Sequence, residues 1–333
     1  MTKLSVLDLA PITQGHTPAE ALANSLSLAQ HAEKLGFTRF WLAEHHNMRG
    51  IASAATSVVI GHVAAGTKTI RVGAGGVMLP NHAPLVIAEQ FGTLATLFPG
   101  RIDLGLGRAP GTDQITAHAL RRTLTGDVNR FPQDVLELQA YFEEPEPNQR
   151  VQAVPGAGLK VPLWILGSSL YGAQLAAALG LPYAFASHFA PAAMMQAIEI
   201  YRARFEPSAQ LAHPYVMLGF NVCAASSQAE ATYLRTSSLQ SFLNLRTGVP
   251  GPLPPPREDF DANLTDADRH MLSEVSSCSA TGDVGTVRDE LRSFISRTGT
   301  DEIMVVGHIY DHTARLKSFE IAMDAITGLN LEN

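Results

Sequence analysis

Cysteine is scarce in this chain of 333 residues: Cys223 and Cys278 are the only two. So few thiols, so far apart, make neither a cysteine metal motif nor a disulfide framework, and they suit a reducing compartment. Long apolar runs are also missing. No stretch approaches the roughly 18 apolar residues that a membrane span requires. The first residues hold one Lys and a brief apolar run ended by Asp8 and Pro11, unlike a secretory signal. A soluble cytoplasmic protein without a membrane partner is expected. Basic charge is not in excess either: 24 Lys and Arg stand against 31 Asp and Glu, a formal charge of −7, so no basic surface is on offer to nucleic acid. Charged residues total 17% against 46% hydrophobic, which excludes a disordered chain and allows a large core.

The pattern is most regular from Ile70 to Gly111. Ile70 to Pro80 is β-branched and glycine-rich, a strand whose backbone is approached closely. Pro84 to Phe98 then places Leu85, Ala88, Phe91, Leu94, Ala95 and Phe98 at helical spacing, and Pro99-Gly100 ends it. Ile102 to Arg108 reads as a second buried strand, followed by a turn at Pro110-Gly111. Strand, helix and strand with short connections predict parallel strands. Gly75-Gly76, Asn81-His82 and Arg108 fall at or just past the strand carboxyl ends, where parallel α/β folds carry their sites. A cation beside exposed backbone there points to an anionic ligand.

The remaining chain alternates in the same way. Strands are predicted at Leu4 to Ala10, Phe37 to Ala43, Val161 to Gly167, Tyr183 to Ser187, Tyr215 to Ala225 and Glu302 to Gly307. Helices are predicted between them, with capping boxes at Thr17 to Glu20 and Ser227 to Glu230. Thr112 to Phe131 is a polar excursion holding Asp113, His118, Arg121, Arg122 and Arg130, expected to cover the site or reach a partner subunit. Gly248 to Pro256 holds five prolines in nine positions and reads as a stiff solvated loop. Leu264 to Val275 is a short helix within an insert. Eight strand signals, with no dinucleotide fingerprint in the first turn after a strand (Ala10 to Gly15), predict an α/β fold, a (β/α)8 TIM barrel with an insertion between strands 7 and 8. About 250 residues make such a barrel, so residues 1–333 are read as one domain.

Five of the twelve histidines, His45, His46, His82, His188 and His308, fall at predicted strand ends. The barrel brings them to one face. Glu44-His45-His46 offers imidazole and carboxylate ligands, but neighbours on an extended chain point oppositely, so these three do not readily meet one ion. No metal is expected, and one histidine is read as a proton donor or hydrogen-bond partner. Gly167-Ser168-Ser169 before a helix offers hydroxyls and amide donors, a phosphate seat or plain capping. Trp41 and Trp164 are expected to pack against the helical layer, Asp8 to be a barrel contact rather than a catalyst, and Cys223 to be an inert buried thiol.

These residues carry a resemblance. Trp41-Leu-Ala-Glu-His-His46, Gly75-Gly-Val-Met-Leu-Pro80, Phe98-Pro-Gly-Arg-Ile-Asp-Leu-Gly-Leu-Gly-Arg108, Ala280-Thr-Gly-Asp-Val284 and Ile309-Tyr-Asp-His-Thr-Ala-Arg315, in this order and spacing, resemble the luciferase-like flavin-dependent monooxygenases, which include bacterial luciferase. The resemblance implies FMN, used in its reduced form with O2 to oxygenate a small organic substrate. His45 matches the family's histidine near the flavin. Gly75-Gly76 matches a non-proline cis peptide beneath the flavin ring, and Arg108 a flavin-phosphate contact, with Ser168 and Ser169 at the phosphate-side turn. Gly172 stands where bacterial luciferase has a threonine, and Gly107 where it has a cysteine, so phosphate binding here leans on backbone amides.

The resemblance further implies that the insert 246–279 is a lid shielding the reaction from water, that the chain forms a homodimer, and that a separate NAD(P)H-dependent flavin reductase supplies reduced flavin. A deazaflavin-dependent dehydrogenase of the same superfamily and a non-catalytic flavin-binding barrel remain open, with a metal-dependent barrel hydrolase as an outsider. The substrate pocket is expected to be apolar.

Overall fold

The computed structural model describes residues 2–109, 111, 114–120 and 130–332. Of the polar excursion, Asp113, Arg121 and Arg122 therefore lie outside the described residues. The described residues of that stretch form the short helix α4 (Gln114–Leu120) and the entry to α5 (Phe131–Phe142), which Arg130 precedes.

Among the described residues nine strands alternate with helices: β1 (Lys3–Asp8), α1 (Pro18–Leu35), β2 (Arg39–Leu42), α2 (Thr56–Ala65), β3 (Arg71–Met78), α3 (Pro84–Leu97) and β4 (Ile102–Gly107). After α4 and α5 come β5 (Leu163–Gly167), α6 (Leu170–Ala178), β6 (Tyr183–Phe185), α7 (Met194–Arg204), β7 (Val216–Ala224), α8 (Gln228–Arg246), α9 (Asp266–Ser276), β8 (Ser279–Gly282), α10 (Val284–Thr298), β9 (Glu302–Val306) and α11 (His312–Glu332). Strands β1 to β7 pair in sequence order, β7 pairs with β9, and β9 returns to β1, closing an eight-stranded barrel. All pairs are parallel. The expected TIM barrel is present.

One strand was not expected. Ser279–Gly282 pairs with the upper half of β7 and stands outside the closed ring. Its sequence, Ser-Ala-Thr-Gly, is too short and too small to show alternation, and the last barrel strand is therefore β9 rather than an eighth. The final helix runs from His312 to Glu332.

Alternation decides what faces where. One parity of the strands (Val6, Phe40, Val72, Leu104, Val305) packs outward against helix residues such as Leu28, Ile60, Phe91 and Leu138. The other parity (Leu7, Trp41, Trp164, Met217, Met304, Val306) fills the barrel. Trp41 and Trp164 thus differ from expectation: they pack edge to face inside the barrel, with ring centroids 5.1 Å apart. The helical layer has no claim on them because their parity is inward.

Beneath them the barrel floor is closed by charge. Arg39 donates to Asp103 at 2.8 Å and to Glu302 at 2.9 Å, Arg71 reaches Asp103, and Trp41 Nε1 donates to Asp103 at 3.2 Å. With both carboxylates and Arg39 paired, the floor is satisfied and polar access is left to the opposite, carboxyl-terminal end.

The proline loop also departs from expectation. Its Leu253 is buried, and its backbone bonds both Ile12 (2.8 Å) and Gln14 (2.8 Å) in the turn after β1. A segment read as solvated is therefore pinned to the barrel mouth: its prolines keep most of its backbone out of hydrogen-bonded structure, and the one leucine among them supplies the anchor.

Candidate active site

Each sequence-predicted site residue lies at the carboxyl-terminal mouth. Following β2, Glu44 and His46 turn to one side and His45 to the other, as alternation requires. His45 Nδ1 lies 3.3 Å from the Gly111 carbonyl oxygen. A carbonyl only accepts, so Nδ1 carries the proton and Nε2 is left as the basic nitrogen. Burial lowers the His45 pKa, more than the Gly111 contact and the Glu44 charge raise it, so this imidazole is neutral at pH 7.

Glu44 is the hub that sequence reasoning undervalued. Its buried carboxylate accepts from His46 Nε2 at 2.7 Å, His82 Nε2 at 2.9 Å and the Met78 amide at 3.0 Å. Burial alone would raise its pKa, but the bonds from His82 and His46 and the Met78 amide hold it below the usual glutamate value. Ligand atoms of Glu44, His46 and His82 lie within 4.8 Å of one another, a spacing open to a metal ion. Direct hydrogen bonds already satisfy the carboxylate, so these three form a complete network as they stand. The signal for it was the Glu-X-His pair, whose alternate residues share a face. His82 comes from the turn after β3 and was visible only as a strand-end histidine.

The peptide between Gly75 and Gly76 is cis. Gly76 has no room for a side chain, since a Cβ there would come 2.6 Å from the Gly105 carbonyl oxygen, and a Cβ at Gly75 would press on Leu7 Cδ1 at 2.8 Å and on Trp41 at 3.1 Å. The β3/β4 register shifts at this point, between Ala74 and Val77. The result is a strip of bare backbone in the mouth.

Arg108, just past β4, lays its guanidinium 4.3 Å from the centroid of the Tyr171 ring. Among the described residues it has no carboxylate partner. Tyr171 belongs to the first turn of α6, whose N-terminus carries no side-chain cap, and Ser168 and Ser169 before it are exposed. Gly172 lies in the same turn, buried, its Cα turned to the Tyr183 ring, where a Cβ would sit at 3.3 Å. What Gly172 offers is therefore its amide. An uncapped helix N-terminus, two hydroxyls and an arginine with no acidic partner among the described residues are donors of the kind that suit a phosphate-sized anion.

Two further histidines complete the mouth. Burial brings both His188 and His308 down to about 4, and a positive charge on His45 would lower each further. His188 Nδ1 and His308 Nε2 are sealed from solvent without hydrogen-bond partners. His188 fits only because position 219 is glycine: a Cβ there would lie 2.0 Å from Nδ1. Both histidines are legible in the sequence as strand-end residues, whereas Gly219, in mid-strand, carries no such signal.

Asp8 is a barrel contact, as expected. It pairs with Arg315 of α11 at 2.7 Å and accepts a hydrogen bond from Ser25, while Arg315 Nε donates to the Gly307 carbonyl at 2.7 Å. This buried pair ties β1, the end of β9 and the last helix together beside His308. Cys223 is buried, its thiol pushed up to about 12 by desolvation, and is unreactive at pH 7.

Comparison with known proteins agrees with this architecture. The family model for luciferase-like monooxygenases matches residues 2–302. A luciferase-like monooxygenase of Escherichia coli K12 is 58% identical over 320 residues, 96% of each chain. The solved structure of apo-MsnO8 superposes with a TM-score of 0.87 at 34% identity, covering 98% of this chain and 99% of that one. The oxygenating constituent of 3,6-diketocamphane monooxygenase from a Pseudomonas putida plasmid, a type II Baeyer-Villiger monooxygenase solved with FMN, shares the fold at a TM-score of 0.73 and 18% identity, with 96% of each chain covered. With the family model spanning nearly the whole barrel, this chain belongs to the luciferase-like monooxygenase family.

Proposed function

We propose that this protein is an FMN-dependent monooxygenase that uses reduced flavin and O2 to oxygenate a small organic substrate. The observation that carries this reading is Arg108, a guanidinium with no acidic partner among the described residues, stacked on Tyr171 beside the uncapped start of α6. That donor set fits the FMN phosphate: Arg108 supplies charge, Ser168 and Ser169 supply hydroxyls, and Leu170, Tyr171 and Gly172 supply amides. Gly75 and Gly76 leave backbone without side chains, which suits a flat ring. The FMN bound to the 3,6-diketocamphane enzyme supports the choice of cofactor. When bound, the flavin supplies the electrons that activate O2.

The chain's own residues do the rest. His45 presents a basic Nε2 at neutral pH and can accept or return a proton there. His188 and His308, both neutral, keep the mouth free of competing positive charge. The insert 246–279 serves as a lid in this reading, with Leu253 as its fixed edge. Reduced flavin comes from a separate NAD(P)H-dependent reductase. A homodimer forms through α2 and α3, where Val58 (71% exposed) and Val86 (45%) face outward.

The deciding experiment is anaerobic equilibrium binding of reduced FMN, oxidised FMN and a reduced deazaflavin, repeated with Arg108→Ala. Preferential binding of reduced FMN that depends on Arg108 supports the proposal. Tight deazaflavin binding with weak FMN binding would replace oxygenation with hydride transfer on the same barrel.

A further inference from the structure

Arg235, on α8, is a partly buried arginine that forms no ion pair among the described residues. Its Nη2 donates to Ser276 Oγ at 2.9 Å and lies 3.5 Å from Ser279 Oγ, and no carboxylate among the described residues forms an ion pair with it. Desolvation lowers its pKa, and the charges of Cys223 and Asp261 oppose that shift without overcoming it. The Cys223 thiol, pushed up to about 12, is neutral at pH 7 and is no counter-ion. A guanidinium withdrawn from water is costly unless an anion joins it.

Two hollows meet at this side chain. The outer one, a cleft of about 350 Å³ bounded by α8, carries Asp261 and Glu290 on its walls. The inner one, about 30 Å³, is lined by Arg235 with Asn221, Cys223, Thr281 and His308, and has no acidic residue. Two polar atoms of this inner lining, Thr281 Oγ1 and His308 Nε2, are buried without hydrogen-bond partners. Native interiors rarely leave such groups unmatched, and here two unmatched groups share one hollow with a cation that no carboxylate of the hollow pairs. The volume admits about two water-sized groups, the size of the two oxygens of a carboxylate and smaller than a phosphate.

We infer that the inner hollow seats a carboxylate group of the organic substrate, with Arg235 as its counter-charge and the Thr281 hydroxyl and His308 Nε2–H as its neutral donors. Val306 lines the same hollow and belongs to the apolar barrel interior. His308 also lies within electrostatic reach of His45. A substrate anchored here by its carboxylate extends its apolar part across Val306 toward the proton-handling histidine. On this inference the ligand is amphipathic, with a charged group added to the apolar body expected from the sequence. The inference rests on the proposed oxygenase function only where it names the anion a substrate.

The test is calorimetric titration of the full chain, with and without FMN, using straight-chain carboxylates from butanoate to decanoate, the matching primary amides, and inorganic phosphate. Wild type, Arg235→Met, Arg235→Lys and Thr281→Val are compared, with circular dichroism confirming the fold of each. At least one carboxylate is expected to bind about tenfold or more tighter than its amide. Arg235→Met abolishes that preference, Arg235→Lys keeps part of it, and Thr281→Val weakens carboxylate binding alone. If Arg235→Met does not fold, the other two variants carry the comparison. Equal binding of carboxylate and amide overturns the inference, as does carboxylate binding unchanged in the folded variants. Arg235-dependent binding of phosphate without binding of any carboxylate makes the hollow an inorganic anion site and overturns the substrate assignment. Failure of wild-type protein to bind FMN sinks the oxygenase reading separately, because the carboxylate titrations without FMN do not depend on it.

Discussion

Arg108 and Tyr171 meet as a cation over an aromatic face, 4.3 Å from guanidinium carbon to ring centroid, joining the end of β4 to the first turn of α6. A ring holds the guanidinium in place without neutralising it, so its charge and its donors stay available to a ligand. An aspartate in place of Tyr171 would have used both.

Arg108→Ala should therefore weaken FMN binding about tenfold or more while leaving riboflavin binding nearly unchanged, since only FMN carries the phosphate. Tyr171→Leu should weaken FMN binding less, through loss of positioning. Fluorescence titration with both flavins measures the difference. Equal losses for FMN and riboflavin would mean that Arg108 does not meet the phosphate.

Acid should destabilise the protein through its buried histidines. His188 and His308 titrate near 4 in the fold, against about 6.5 in the unfolded chain. Between those values the unfolded state binds protons that the native state refuses. Stability therefore falls as pH drops from about 6.5 to 4, by at most about 1.4 kcal/mol per pH unit for each histidine, and their contribution levels off below that. Urea midpoints measured from pH 7 to pH 4 should show this slope, and His308→Asn should flatten it. An identical slope in the variant would assign the effect to other groups.

Gly219→Ala should displace His188, because the new Cβ would lie 2.0 Å from Nδ1 and no rearrangement of the ring in place relieves that. A stability loss of about 1–3 kcal/mol is expected for such overpacking, and substrate turnover should fall more than FMN binding does. Denaturant unfolding and coupled turnover give the two readouts.

Asp8 and Arg315 form a buried pair, so breaking one half should cost about 3–5 kcal/mol, whereas replacing both with apolar residues should cost much less. Asp8→Asn, Arg315→Met and the double variant Asp8→Leu/Arg315→Met, compared by chemical denaturation, test this non-additivity. Additive losses would show that the two residues act independently.

The anchored proline loop makes the last prediction. Deleting 248–256 removes Leu253 and its two backbone bonds to the turn after β1. Flavin binding should persist while more of the reduced flavin's electrons are lost to hydrogen peroxide. The ratio of peroxide to oxygenated product measures this, and unchanged coupling would remove the insert from the water barrier.

The sequence alone determined the parallel barrel, because period-two strands, period-3.6 helices and their punctuation by glycine, proline and capping residues are local properties. Thr17 with Glu20, Gly36 in its left-handed cap and Asp283 before α10 take the roles their neighbours dictate. Placing Glu44, His45, Gly75, Gly76, Arg108, Ser168 and Ser169 at one mouth followed from strand direction, another local property once the strands are parallel. Tertiary structure alone decided which of these groups touch. Glu44 meets His82 38 positions away, Asp8 meets Arg315 at a separation of 307, and Gly219 clears space for His188. It also turned Trp41 and Trp164 inward and left Arg235 without an ion-pair partner among the described residues. Those outcomes depend on barrel closure and on the register of strands far apart in the chain. No window of sequence contains both partners.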